Sequence, residues 1–170
     1  MHYPDLLTPT GIENIEFPSG MSVQIPKAKP VFALWTGHPI SDRYGNKPVL
    51  NANGQPVFAE LAILRILGNA GWQGVWVDTY RNKYRTTCFP MNEVELPTEQ
   101  RRLLLGIYEK AGMNKGCWDV FCWTSGGENV FAELKRQGRD RIRDSQRRWL
   151  DAAIKCGLPI ASFLIVEWSA

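Results

Sequence analysis

Two apolar stretches carry the residues whose chemistry stands out. The first is Trp118-Asp119-Val120-Phe121-Cys122-Trp123, and the second, after a Gly126-Gly127 pair, is Val130-Phe131-Ala132-Glu133-Leu134-Lys135. Read as a hairpin, they bring two carboxylates and one ammonium to the same end. Side chains alternate along a strand, so Glu133 and Lys135 share a face. An apolar strand rarely carries two charges on one face unless something binds them. Two acids beside a lysine suit a hard divalent cation and an anionic substrate such as a phosphodiester. The turn decides whether the acids meet. A three- or five-residue loop centred on Gly126 sets Asp119 opposite Glu133 on a shared face, whereas a two-residue Gly126-Gly127 turn sends them to opposite faces unless a bulge intervenes.

The surrounding elements must hold this end in place. Residues 56–70 have a helical pattern (Val57, Leu61, Leu64, Ile66, Leu67) that stops at Gly71, and Glu60 falls on its apolar face. A buried glutamate there has to reach a cation, water or a metal. Residues 74–78 read as a strand ending in Asp78, a further carboxylate at a strand end. The run Tyr80-Arg81-Asn82-Lys83-Tyr84-Arg85 interleaves aromatic and basic residues, as phosphate contact and base stacking require and as an exposed amphipathic loop also would. A second helix is expected over 97–111, with Thr98 as N-cap and Gly112 at its end. A third is expected over 140–156, closed by Gly157 and Pro159. Its buried stripe is Ile142, Gln146, Trp149 or Leu150, and Ala153, so the polar Gln146 faces the sheet end that carries the acids. Residues 160–166 are nearly all apolar, as buried parallel strands are. Strand 129–135, helix 140–156 and strand 160–166 make one βαβ crossover, expected to be right-handed. Residues 1–50 are rich in Pro and Gly; 21–25 and 31–35 are short strand candidates in an otherwise irregular extension that packs on the core.

Composition excludes several classes. A chain of 170 residues with 44% apolar and 22% charged residues can bury a core of its own. No apolar run approaches a membrane span, and the first residues lack a basic segment followed by an apolar one. Cys88, Cys117, Cys122 and Cys156 have no CxxC spacing, and only His2 and His38 accompany them, a poor basis for zinc. Apolar surroundings for three of these cysteines suit a reducing, cytoplasmic setting. The net charge is a mild +3, but residues 135–148 hold seven basic residues against Asp140 and Asp144. That stretch is therefore +5 and the remainder −2. Basic charge concentrated just after the acid-bearing hairpin suits an approaching nucleic acid, and equally a solvated helix face with internal ion pairs.

The order is helix with Glu60, strand, strand with Asp119, strand with Glu133-x-Lys135, helix with Gln146, then an apolar strand. It resembles the PD-(D/E)xK nuclease superfamily, an α/β fold with an αβββαβ core. Within it, the chain looks most like the VRR-NUC (virus-type replication-repair nuclease) domain. Phe131-Ala132-Glu133-Leu134-Lys135, Ser145-Gln146-Arg147-Arg148-Trp149-Leu150 and Gly157-Leu158-Pro159 carry the resemblance. It covers about residues 56–167 of a domain placed at 51–170, with 1–50 and an insertion near 80–112 outside it. Trp118 stands where a proline commonly precedes the aspartate.

The resemblance implies Asp119, Glu133, the Leu134 carbonyl and Glu60 as ligands of Mg²⁺ or Mn²⁺, the last directly or through water. It implies Lys135 as the group that positions the attacking water and offsets charge on the phosphate, and Gln146 as their hydrogen-bonding partner. Arg136, Arg139, Arg143, Arg147, Arg81 and Lys83 would contact nucleic acid. The implied activity is metal-dependent hydrolysis of branched or duplex DNA in repair or recombination, in a nucleoid-associated or phage-encoded protein, with a homodimer as an analogy from related small nucleases. Two other readings stay open: a nucleic-acid-binding module that keeps the fold without catalysis, and RNA as substrate. Taken singly, Glu133–Lys135 also reads as an edge-strand ion pair, Asp119 as a turn former and Gln146 as a backbone partner.

Overall fold

The computed structural model describes residues 3–170; Met1 and His2, and the reading of the first residues as free of a leader insofar as it rests on them, lie outside the described residues. Ten strands and three helices follow one another: β1 (Gly11–Glu16), β2 (Ser22–Ala28), β3 (Ala33–Leu34), β4 (Leu50–Ala52), β5 (Gln55–Val57), α1 (Ala59–Asn69), β6 (Gln73–Asp78), β7 (Lys83–Arg85), α2 (Thr98–Ala111), β8 (Val120–Trp123), β9 (Asn129–Arg136), α3 (Asp144–Lys155) and β10 (Phe163–Trp168). The protein is α/β. Seven strands form one mixed sheet in the order β1-β2-β10-β9-β8-β6-β7, and β3-β4-β5 form a small second sheet.

Alternation along β8, β9 and β10 divides the core between the two faces of the main sheet. Val120, Cys122, Val130, Ala132, Leu164 and Val166 pack with α1 and the small sheet. Phe121, Phe131, Phe163 and Ile165 pack with α2 and α3. Phe131 is the centre of the second layer: it stacks on Phe121 at 4.3 Å and meets Trp149 of α3 edge-on at 4.9 Å. β10 lies between two parallel neighbours, β9 and β2. Burial on both faces explains its unbroken apolar run. The βαβ unit from β9 through α3 to β10 is therefore present.

Several boundaries differ from the sequence reading. The first 50 residues are not an irregular extension: β1 and β2 are an antiparallel pair that completes one edge of the main sheet. β1 is a half-exposed edge strand, so no continuous apolar run announces it, while the strand candidate at 21–25 falls on β2, which lies between β1 and β10. A domain boundary at 50/51 has no structural counterpart, because β4 crosses it and pairs with both β3 and β5. The stretch 80–112 is not outside the core either, since β7 extends the sheet and α2 packs on α3. The first helix begins at Ala59, because Pro56 sits in the β4–β5 hairpin made by the Asn53-Gly54 turn. Pro97, not Thr98, is the N-cap of α2, and no side chain caps it. Residues 137–143 are turn and extended chain, so α3 starts at Asp144 rather than 140. A single 3-10 turn, Ile160–Ser162, delays β10 to Phe163. No helix among the described residues is long and apolar enough to cross a membrane.

The Phe131 side chain links sheet to helix, so Phe131→Ala is expected to lower stability by about 3–5 kcal/mol, the usual range for deleting a fully buried aromatic. Urea denaturation should show this as a lower midpoint with an unchanged slope.

Candidate active site

β8 and β9 pair with Val120 opposite Ala132 and Trp123 opposite Asn129, joined by the five-residue loop 124–128. Thr124 closes that loop: its N–H donates to the Glu128 carbonyl and its hydroxyl accepts from the Glu128 N–H. This register centres the hairpin on Gly126 and sets Asp119 opposite Glu133, one pair beyond the ladder. The two-residue turn, which would separate the acids, is not the one formed. Asp119 leans across the gap, and its Oδ2 accepts the Leu134 N–H at 3.0 Å.

Glu133 is 1% exposed. One oxygen, Oε1, accepts from the Lys135 ammonium at 2.7 Å and from the Gln146 amide at 2.5 Å. Gln146 Oε1 in turn accepts from Lys135 at 3.1 Å and from the Arg143 N–H at 2.9 Å. The last bond satisfies the backbone at the α3 N-cap, half of a capping box, so the same contact that starts the helix fixes the amide against Glu133. Gly116 brings this helix start close to the Asp119 segment: a Cβ there would lie 2.2 Å from the Ser145 carbonyl. The other Glu133 oxygen, Oε2, is buried and has no hydrogen-bond partner.

These groups share a cavity of about 520 Å³ with Lys47, Glu60, Thr79, Leu134, Arg139, Asp140, Arg141 and Arg143. Glu60 enters from α1, on the other side of the sheet, and its Oε1 pairs with Lys47. Among the described residues no three Asp, Glu, His or Cys side chains form a ready-made metal cage. The cavity instead presents Asp119 and Glu133 side by side, Glu60 held by a lysine, and Asp140 accepting from the Arg136 N–H.

Electrostatics mark the acids. Burial, and next the negative charge of Glu60, raise the Asp119 carboxyl to about 6. Burial and the neighbouring Asp119 push Glu133 well above the usual carboxylate range, against the pull of Lys135 and Gln146. Asp119 and Glu133 thus lack sufficient positive charge in the bare protein. A divalent cation would supply it and would occupy the orphaned Oε2. Asp119, Glu133 and Leu134 at the cavity wall fit Mg²⁺, which takes few carboxylates and keeps several waters.

The basic residues sort themselves. Arg139 and Arg143 line the cavity, and so does Arg141. Arg136 follows Lys135 along β9 and so faces the other way, into a separate cleft, with its guanidinium 5.7 Å from the Trp168 ring. Arg147 lines a neighbouring cavity beside Lys135 and sits 3.6 Å from Asp144. Arg81 lies over the Tyr44 ring at 4.1 Å, and Lys83 pairs with Glu93. Asp78 is outside the acidic group: it is buried against Arg85 at 2.8 Å and accepts from the Tyr44 hydroxyl, and although burial opposes its charge those bonds hold its carboxyl below the ordinary value. Arg85, read as part of an open basic run, is consumed in that pair.

Lys47 is the site residue that sequence reasoning missed. It sits in the irregular segment before β4 and belongs to no periodic pattern. Its only signal is a lone lysine after the turn residues Tyr44-Gly45-Asn46, all three at positive φ.

No protein family, curated protein or solved structure matches this chain.

A carboxyl whose folded pKa is raised favours the fold most below its unfolded pKa, near 3.8, and loses that contribution as pH rises through about 6. Without metal, Asp119 should therefore weaken the fold as pH rises from 4 to 8. Mg²⁺ should raise the melting temperature more at pH 8 than at pH 5, where protons compete for the same oxygens. Asp119→Asn should melt higher than the parent at pH 8 in EDTA and gain little from Mg²⁺; thermal melts at both pH values check all three points.

Proposed function

We propose that this protein is a metal-dependent nuclease that hydrolyses DNA phosphodiester bonds, with the site architecture of the PD-(D/E)xK superfamily and nearest in pattern to VRR-NUC domains. The carrying observation is the Glu133 carboxylate: 1% exposed, gripped on one oxygen by Lys135 and Gln146, and orphaned on the other. Most buried polar oxygens in structural ion pairs are hydrogen-bonded, so the orphaned Oε2 calls for a partner. Asp119 opposite it, Glu60 across the cavity and the Arg139–Arg143 wall are what a bound cation and a polyanion would each require.

Mg²⁺ or Mn²⁺ at Asp119 and Glu133 would supply Lewis-acid polarisation of the phosphoryl oxygen and a more acidic water. The chain's own groups do the rest. Lys135 lies beside Glu133 and would hold its ammonium toward the attacked phosphate, offsetting charge as it develops. Gln146 fixes the Glu133 and Lys135 side chains in one arrangement, so neither has to reorganise during the reaction. Arg139, Arg141 and Arg143 would contact flanking phosphates, which positions the backbone without reading sequence.

Purified protein with Mg²⁺ or Mn²⁺ should cut one or more of a panel of single-stranded, duplex, flap, fork and four-way-junction DNAs. Asp119→Ala and Glu133→Ala should abolish cutting while retaining DNA binding. Lys135→Met should lower the rate by roughly 10²–10³-fold and Gln146→Ala by roughly 10–100-fold. If both carboxylate variants cut as well as the parent, the proposal fails. Salt-sensitive binding with no cleavage by the parent would identify a binding module instead. Arg143→Ala should weaken binding across sequences and reduce the slope of log K against log salt by about 1.

A further inference from the structure

Lys47 is anchored rather than free. Its backbone N–H donates to the Arg43 carbonyl at 2.8 Å, closing a turn whose Tyr44 hydroxyl bonds to the buried Asp78. Pro48 and Val49 follow and lead into β4, with Val49 and Leu50 buried in the core. From this fixed base the side chain reaches into the acidic cavity. Its ammonium pairs with Glu60 Oε1 and lies 5.0 Å from the Trp76 ring centroid and 6.0 Å from that of Phe58. Burial opposes its charge, but Glu60, Asp119 and Asp78 more than restore it.

Two features of this placement matter. The carboxylate in direct contact with the Lys47 ammonium is Glu60, whereas Glu133 is held by Lys135 and Gln146 and Asp119 by the Leu134 N–H. Lys47 also retains access to water, with 32% of the side chain exposed, whereas Glu60 has 10%. The Lys47 ammonium thus borders both Glu60 and solvent, from a backbone held in a hydrogen-bonded turn.

Resting on the reading of the cavity as a metal-dependent nuclease site, we propose that Lys47 is an internal placeholder cation. It neutralises Glu60 in the metal-free protein, is displaced from it when a divalent ion binds, and then serves as a second ammonium for the DNA backbone. The exchange is one of electrostatic partners: Glu60 trades an ammonium for the metal or its water, and the ammonium, held by the aromatic walls, trades a carboxylate for a phosphate. Cations of similar charge compete for the same carboxylate, so metal affinity is reduced by the fraction of Glu60 that the lysine holds.

Amine-selective labelling of the intact parent protein, read by mass spectrometry at Lys47, tests the displacement directly. Mg²⁺ should raise the labelling rate of Lys47 several-fold, and a short duplex added in Ca²⁺ should suppress it again. Calorimetry of Mg²⁺ binding without DNA is the second readout. Lys47→Met should bind Mg²⁺ about three- to tenfold more tightly than the parent, Lys47→Arg should stay near the parent, and Lys47→Met should bind DNA in Ca²⁺ more weakly. Mg²⁺ binding with Lys47 labelling unmoved, or Lys47→Met binding Mg²⁺ no tighter than the parent, overturns the placeholder role alone. No Mg²⁺ binding by the parent overturns the metal-dependent reading and this role with it.

Discussion

A carboxylate withdrawn from water at the end of a sheet is the constraint around which the cavity is organised. Taking a charge out of water costs several kcal/mol unless partners replace the lost hydration. Glu133 has half of that replacement, in Lys135 and Gln146, both converging on one oxygen. The converging pair has its own requirements. Lys135 must lie on the same face, which strand periodicity secures. Gln146 must arrive from a different element, which requires the first turn of α3 to sit against the sheet end. Close packing of Gly116 on Ser145 and the aromatic layer of Phe121, Phe131 and Trp149 hold it there. Remove the helix start and the carboxylate loses a partner; remove the carboxylate and the Gln146 amide loses the acceptor that fixes it at the helix N-cap.

The same geometry explains why the acids are tuned upward while Asp78 is tuned downward. Asp78 has a guanidinium and a phenol as direct donors and is closed off at 2% exposure. Asp119 has one backbone N–H as direct donor, with Glu60 and Glu133 as acidic neighbours that outweigh the more distant charges of Lys47 and Lys135. Two carboxylates in one small protein thus differ in what surrounds them, one saturated and structural, the other undersupplied and facing a cavity. Under the proposed metal-binding role, the contrast is that between an acid that holds a cation and one that braces the fold.

Much of the site was legible before any coordinates, because it rests on local rules. The strand period placed Glu133 and Lys135 on one face, and the helical period put Gln146 toward the sheet. The uncertain point was the turn: Gly126-Gly127 alone suggests a two-residue connection, yet the Thr124 hydroxyl and the Glu128 backbone close a longer one. What stayed hidden depends on contacts distant in sequence. Arg85 looked available because Asp78, its partner, carries no local mark. Lys47 reaches Glu60 only through the packing of the Tyr44 turn, and no periodicity encodes that. β1 was missed because an edge strand with one solvated side carries a weak pattern, whereas the 21–25 candidate falls on β2. The onset of α3 was misplaced by four residues because Ile142 fits the helical stripe while belonging to the extended approach.

The strand order carries a consequence for biosynthesis. β10, the last of the ten strands to be made, lies between β9 and β2, and β2 has no other partner in the sheet apart from β1. A nascent chain emerging from the ribosome therefore cannot seat its first hairpin until residue 168 or so has been synthesised. Until then the β9 edge that β10 will cover stays unpaired, and unpaired edges are prone to wrong pairing. Parallel pairing across such separations is slow, so the cavity lined by β9 and α3 is complete only once this region has been made.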